Sequence, residues 1–305
     1  MICVCFSGCR KAKKREDGKY HIVLTIFAEY DWVKEIVGDA ENVEMTYLLK
    51  SGTDMHNYQP TTKDTVAISS CDMFIFVGGE SDKWTSDALK SATNKDMTAI
   101  CLMDVLKDHV KEEEHFGEED DHDEDDHEND EHVWLSLKNA ATVCEYISAK
   151  LCEKDPENKE KYAENTKKYI EKLKALDAKY EEEIGKAETK TLIFGDRFPF
   201  RYLTDDYGIT YYAAFSGCSS ETEASFNTII SLAGKADELG VKAIMQTETS
   251  DGKIPKAIIE NTNSKDLKIL TLDSLQSVSL KEASEGKTYI AAMESNLAVL
   301  GEALN

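Results

Sequence analysis

The chain is 305 residues long, 41% apolar, and carries a formal charge of −23 from 36 Lys and Arg against 59 Asp and Glu. That length is enough for two domains with cores of their own, and so acidic a surface excludes nucleic acid and anionic lipid while favouring cations. The longest unbroken apolar runs are strand-length, such as MFIFV at 73–77, far short of the roughly 20 residues that cross a bilayer.

Residues 1–17 read MICVCFSGCRKAKKRED, in which Phe6-Ser7-Gly8-Cys9 resembles a bacterial lipobox, the cleavage site whose Cys receives a diacylglycerol. The basic start and the apolar stretch of about 7 to 15 residues that complete a signal peptide are missing. Residues 1–19 therefore read as a residual lipoprotein signal that has lost its beginning, plus a tether held to the membrane by a lipid anchor at Cys9. Cys3, Cys5 and Cys9 belong to that segment. Cys71, Cys101, Cys144, Cys152 and Cys218 remain, an odd number without CxxC spacing, which indicates neither a disulfide framework nor a thiolate zinc knot. Most of them read as buried thiols acting as small hydrophobes, and Cys218, in a turn, is the one able to lie near a site.

Residues 21–27 (HIVLTIF) form a β-rich run, 31–37 (DWVKEIV) has helical spacing, and Gly38 stops it. A strand over 43–49, a helix over 62–70, a buried strand over 73–77 ending in Gly78-Gly79, a helix over 87–91 and a strand over 98–103 follow. Strands alternating with helices at this spacing predict a parallel sheet covered on both faces. From 112 to 131 the chain reads EEEHFGEEDDHDEDDHENDE, with 14 acids, three His and no Lys or Arg; without it the charge is −9. So dense a block of like charge cannot offset its ordering entropy by burial, and it reads as a loop. Its interleaved His115, His122 and His127 give it donors for collecting metal ions.

A helix is expected over 134–150. The charged segment 156–187, apolar at Tyr162, Tyr169, Ile170, Leu173, Leu176 and Tyr180 and opened by Pro156, predicts a helical spine. The alternation then resumes, with strands at 191–194, 209–213, 243–246 and 268–272 and helices at 201–207, 221–239, 255–261 and 288–304. The domain plan is an N-terminal lobe over 20–155, a linking helix over 156–187 and a C-terminal lobe over 188–305. Four prolines, none in a Pro-rich linker, predict rigid coupling of the lobes.

The chain has no GxxxxGK[ST], HExxH or GxSxG, so it carries no motor and no hydrolase signature, and it does not read as an enzyme. Of seven His, His21 opens a strand and His109 and three others belong to the acidic loop or its edge. His56 and His132 remain, both in lobe-edge loops, where α/β folds place ligands.

Seven blocks occur in order: HNYQPTTKD (56–64), DEHVWLSLKNA (130–140), FGDRFPFRYLTDDYG (194–208), GCSSETEAS (217–225), TETS (247–250), TLDSL (271–275) and TYIAAMESNLAVLGEAL (288–304). Together, over residues 20–304, they resemble the cluster A-I metal-binding lipoproteins of ABC transporters, the zinc and manganese receptors. The resemblance implies an α/β fold of two Rossmann-like lobes with parallel sheets joined by one long rigid helix. It implies a monomeric, extracytoplasmic protein, lipid-anchored to the bacterial cell membrane, which captures a divalent transition metal between its lobes and delivers it to an ABC permease with its ATPase. It carries His56 and His132 over as metal ligands. The third ligand, a His or Glu in the family, falls by position on Arg197, which cannot ligate, with Asp196 beside it; the fourth matches Asp273, and Glu248 is able to replace either carboxylate. Gln59 stands where the family has Glu, and Glu131 and Leu137 where it has Pro. Two imidazoles with two carboxylates would neutralise a divalent ion. Nitrogen and oxygen ligation suits Zn²⁺, Mn²⁺ or Fe²⁺ and disfavours Cu(I). The His-containing acidic loop resembles that of zinc members, which makes Zn²⁺ the expected ion and Mn²⁺ or Fe²⁺ the alternative. A surface adhesin with a structural metal is a reading of a different class.

Overall fold

A computed structural model of the chain describes residues 18–113, 129–215, 217 and 224–305. Cys9 with its lipobox, His115, His122 and His127 of the acidic loop, and Cys218 lie outside these residues. In the N-terminal lobe, β1 (Tyr20–Leu24), β2 (Val43–Tyr47), β3 (Met73–Phe76) and β4 (Thr98–Cys101) form a parallel sheet in the order β2-β1-β3-β4. In the C-terminal lobe, β5 (Thr191–Phe194), β6 (Thr210–Ala213), β7 (Ala243–Thr247) and β8 (Lys268–Leu272) repeat that plan as β6-β5-β7-β8, again parallel. All four residues of β3 are buried, as a central parallel strand covered on both faces requires. Each sheet changes its winding direction beside its first strand, which opens a crevice at the carboxyl ends of the strands.

The helices, in chain order, are α1 (Phe27–Val37), α2 (Thr62–Ser70), α3 (Thr85–Lys90), α4 (Leu102–Leu106), α5 (Leu137–Lys154), α6 (Lys159–Gly185), α7 (Arg201–Tyr207), α8 (Phe226–Leu239), α9 (Lys253–Asn261), α10 (Leu280–Ser284) and α11 (Tyr289–Leu304). Side-chain caps set several of the starts. Thr61, Ser136, Ser225, Ser279 and Thr288 each accept a backbone N–H of the first turn that follows. The cap at Ser136 moves the start of the helix expected from 134 to Leu137, and Val133–Leu135 forms a 3-10 turn instead. The strand expected to reach 103 stops at Cys101, where the chain turns into α4.

The spine is α6, preceded by a 3-10 turn at Pro156–Asn158 rather than opening on the proline. Its 27 residues make it about 40 Å long at the α-helical rise. Tyr162, Tyr169, Leu173, Leu176, Tyr180 and Ile184 form its buried stripe, which packs against α1, α5 and α11. One continuous apolar core runs from β1 through the spine to α11, with a smaller cluster around Ile193, Leu232, Ile244 and Ile258 in the C-terminal lobe.

Buried hydrogen bonds tie the lobes directly. Trp134 Nε1 donates to the Ser274 carbonyl at 2.9 Å, Tyr289 Oη to the Trp134 carbonyl at 2.6 Å, and Tyr47 Oη to the Val278 carbonyl at 2.7 Å. Among the described residues no helix is long and apolar enough to cross a membrane.

Candidate metal centre

The loop after β2 carries His56. Asp54 caps a 3-10 turn at Met55–Asn57 by accepting the His56 N–H at 3.0 Å, which fixes the backbone under the imidazole. His132 comes from the far end of the acidic segment, whose base closes where Glu112 bridges Asn129 and the Asp130 N–H reaches the Lys111 carbonyl. The two rings meet edge to edge, Nε2 to Nε2 at 3.2 Å.

Each imidazole is held from behind. Asp130 Oδ1 accepts both the His132 backbone N–H at 2.8 Å and Nδ1 at 2.9 Å. That leaves Nε2 as the ring nitrogen facing the crevice. His56 Nδ1 lies 2.6 Å from Ser81 Oγ in the loop after β3. Burial, and after it the neighbouring His132 and Arg197, push the His56 imidazole down to about 3, so it is neutral at pH 7. A third polar group comes from the loop after β8, where Gln276 places its amide 3.5 Å from His56 Nε2. Leu275, at φ 62, turns the chain so that this glutamine faces back across the crevice.

Glu131 sits under the same loop. Its Oε1 accepts the Ser81 N–H at 2.8 Å, its Oε2 lies 3.8 Å from His56 Nδ1, and burial raises its pKa. Gly79, at φ 77, makes room for it. A Cβ there would stand 2.6 Å from Glu131 Cγ and closer still to Oε1.

The carboxylates expected to complete the site line the C-terminal side of the crevice, but the backbone uses them. Asp196, after β5, accepts the Thr247 N–H at 3.0 Å and the Thr247 hydroxyl at 2.7 Å. Glu248, after β7, takes the Ser274 N–H and hydroxyl at 2.8 and 2.7 Å. Asp273 accepts the Leu275 N–H at 2.9 Å and pairs with Lys287 at 2.7 Å. Arg197, at the expected third-ligand position, instead reaches across to Asp54 at 3.7 Å. Among the described residues, no three His, Cys, Asp or Glu side chains are grouped so as to hold an ion. What the described geometry assembles is two imidazoles and the Gln276 amide. Gln276 and Ser81 carry no spacing signal in the sequence; Glu131 had one, as a carboxylate in place of the family's proline beside His132.

Comparison with known proteins agrees with this architecture. The model of the family described as "Zinc-uptake complex component A periplasmic" matches residues 22–303. The high-affinity zinc uptake system protein ZnuA of Bacillus subtilis is 31% identical over 308 residues, covering all of this chain and 94% of that protein. The zinc-binding protein AdcA of Streptococcus pyogenes is 32% identical over 294 residues, but there the chain spans only 56% of the relative's length. Among solved structures, the metal-dependent lipoprotein YcdH of B. subtilis superposes with a TM-score of 0.78 at 29% identity, covering 94% of this chain and 99% of that one. The Zn(II)-bound ZnuA-like domain of Streptococcus pneumoniae AdcA does so with a TM-score of 0.73 at 28% identity, with the same coverage. With two parallel-sheet lobes on a common spine, and a family match over almost its whole length, this chain belongs to the zinc-uptake complex component A family.

Proposed function

We propose that this protein is the solute-binding component of a zinc-uptake system, which takes Zn²⁺ between its lobes at His56 and His132 and hands it to the membrane permease of an ABC transporter. The spacing of the imidazole nitrogens carries the reading. Donors on a tetrahedral zinc at Zn–N distances of about 2.0–2.1 Å stand about 3.3–3.4 Å apart. His56 and His132 hold Nε2 to Nε2 at 3.2 Å, and the Gln276 amide lies at 3.5 Å from the first of them. With its amide turned so that the oxygen faces the crevice, Gln276 supplies a third vertex of that tetrahedron. Asp273, Asp196 and Glu248 would have to give up backbone partners to ligate, so we place them on the rim.

The names of the relatives support the choice of ion and of compartment. The S. pneumoniae AdcA is a zinc-binding lipoprotein, and YcdH is a metal-dependent lipoprotein. We accordingly place this protein outside the cytoplasm, anchored through Cys9, with capture and release rather than catalysis as its work. Because the lobes share a core and a rigid spine, release is expected from small loop shifts at the crevice rather than from wide hinge opening.

Competition titration with a chromophoric chelator tests the reading. Zinc should bind one tight site, and His132→Ala should weaken it by about a hundredfold or more, since one of few ligands is gone. Tighter binding of Mn²⁺ than of Zn²⁺ would replace zinc with manganese as the cargo.

A further inference from the structure

We infer that Asn296, on the buried face of α11, is a positioning residue of the metal site, holding the loop after β8 in register with His56 and His132. The inference rests on the metal-site reading above. The buried stripe of α11 is apolar at Met293, Leu300 and Ala303 and is interrupted by Asn296. An amide on such a face is costly unless its hydrogen bonds are satisfied. Asn296, 1% exposed, directs both ends of its amide at one residue. Oδ1 accepts the Asp273 N–H at 2.8 Å, and Nδ2 donates to the Asp273 carbonyl at 2.8 Å. Paired residues of an antiparallel ladder exchange two bonds in this way, so the side chain adds one more rung just past the end of β8. Asp273 opens the loop in which Leu275 turns at φ 62 and Gln276 comes within 3.5 Å of His56 Nε2.

The same helix reaches the other half of the site. Tyr289 lies seven residues before Asn296, hence on the same face and about 10 Å along the axis. Its Oη donates to the Trp134 carbonyl at 2.6 Å. Trp134 follows His132 by two residues and sets its ring beside the imidazole, with centroids 5.2 Å apart. Its Nε1 then meets the Ser274 carbonyl at 2.9 Å, next to the residue that Asn296 holds. One rigid helix therefore fixes both the segment behind His132 and the loop that faces His56. The polar atoms of Asn296 are engaged by the Asp273 backbone, so Asn296 acts on the ion through the loop.

Asn296→Ala removes both hydrogen bonds with a residue that suits a helix. Zn²⁺ affinity should fall by about 10–100-fold, the range for groups that orient a metal site from behind, with faster zinc dissociation in a chelator chase. The visible spectrum of Co²⁺ bound in place of zinc should change, because the loop that faces His56 is displaced. Tyr180→Phe is the control. It removes another buried bond to α11, Tyr180 Oη to the Met293 carbonyl at 2.6 Å, and should lower the melting temperature while keeping wild-type zinc affinity. Wild-type zinc affinity or an unchanged Co²⁺ spectrum in Asn296→Ala overturns the proposal, as does an equal loss of affinity in Tyr180→Phe. If Asn296→Ala does not fold, Asn296→Ser, whose hydroxyl can satisfy one of the two partners, is read by the same spectrum and affinity. His132→Ala is run in parallel. If it keeps wild-type zinc affinity, the site itself lies elsewhere and both readings fall; if it loses zinc while Asn296→Ala does not, only the role of Asn296 falls.

Discussion

Replacing Tyr202 with Phe asks whether the two lobes and the metal site form one mechanical unit. The Tyr202 phenol, at the start of the C-terminal lobe, accepts the Lys111 N–H at 3.0 Å and donates to the Asp130 carbonyl at 2.7 Å. Tyr202→Phe keeps the buried ring and removes only this oxygen. Asp130 is 1% exposed, so its carbonyl is left unpaired in a dry place. Lys111 is half-buried, and its N–H regains water. The expected loss is about 2 kcal/mol, mostly from the carbonyl, or about 4 °C in melting temperature for a chain of this size. The same residue's carboxylate orients His132, so slack in the Asp130 backbone should also loosen the imidazole and weaken zinc by about tenfold, the low end for groups behind a ligand. Calorimetry in the presence of chelator reads the first effect, and competition titration reads the second. A lower melting temperature with unchanged zinc affinity would show a clamp without coupling to the site, and no change in either would refute the whole argument.

The metal-free protein should lose stability as pH rises. Burial pushes Glu29 up to about 8 and Asp82 up to about 7, so their contribution is full below their unfolded values and is lost as pH rises through those folded ones. His56 has the opposite sign, with stability present above pH 6.5 and lost toward 3, so between pH 7 and 8, above both it and Asp82, the Glu29 slope stands clear at about 1.4 kcal/mol per pH unit. Urea melts across that window should show the slope, and Glu29→Gln should flatten it; an equally steep variant would mean another group is responsible. Gly79→Ala combines a left-handed backbone with a clash against Glu131 and should cost about 2–3 kcal/mol in chemical denaturation. A near-neutral result would show that the loop relaxes freely. Zinc at a thousandfold excess over Kd should stabilise the wild type by about 4 kcal/mol, and this increment should vanish in His132→Ala; its persistence there would move the ion to another site.

Local chemistry was enough to read the fold from the chain. β-rich runs such as MFIF, the helix stop at Gly38 and the stripe of Tyr162, Tyr169, Leu173, Leu176 and Tyr180 are each written within a few residues, and strands alternating with helices leave little choice beyond parallel sheets. That His56 and His132 stand in loops at the lobe edges was legible for a related reason, as they are the histidines left once strand and acidic-loop positions are set aside, and the structure brings their rings together. Which groups lie beside these two rings was not legible, because it depends on which loops meet. Asp196, Glu248 and Asp273 are ordinary ligand types at the right strand ends, yet each finds backbone N–H groups or Lys287 within reach and is engaged there. Gln276 faces His56 from 220 positions away only because Leu275 adopts a left-handed turn at the end of β8. Sequence order can place a residue at the carboxyl end of a strand. Whether its side chain turns to a neighbouring backbone or to the crevice is decided by partners that only the packed lobes bring within hydrogen-bond distance.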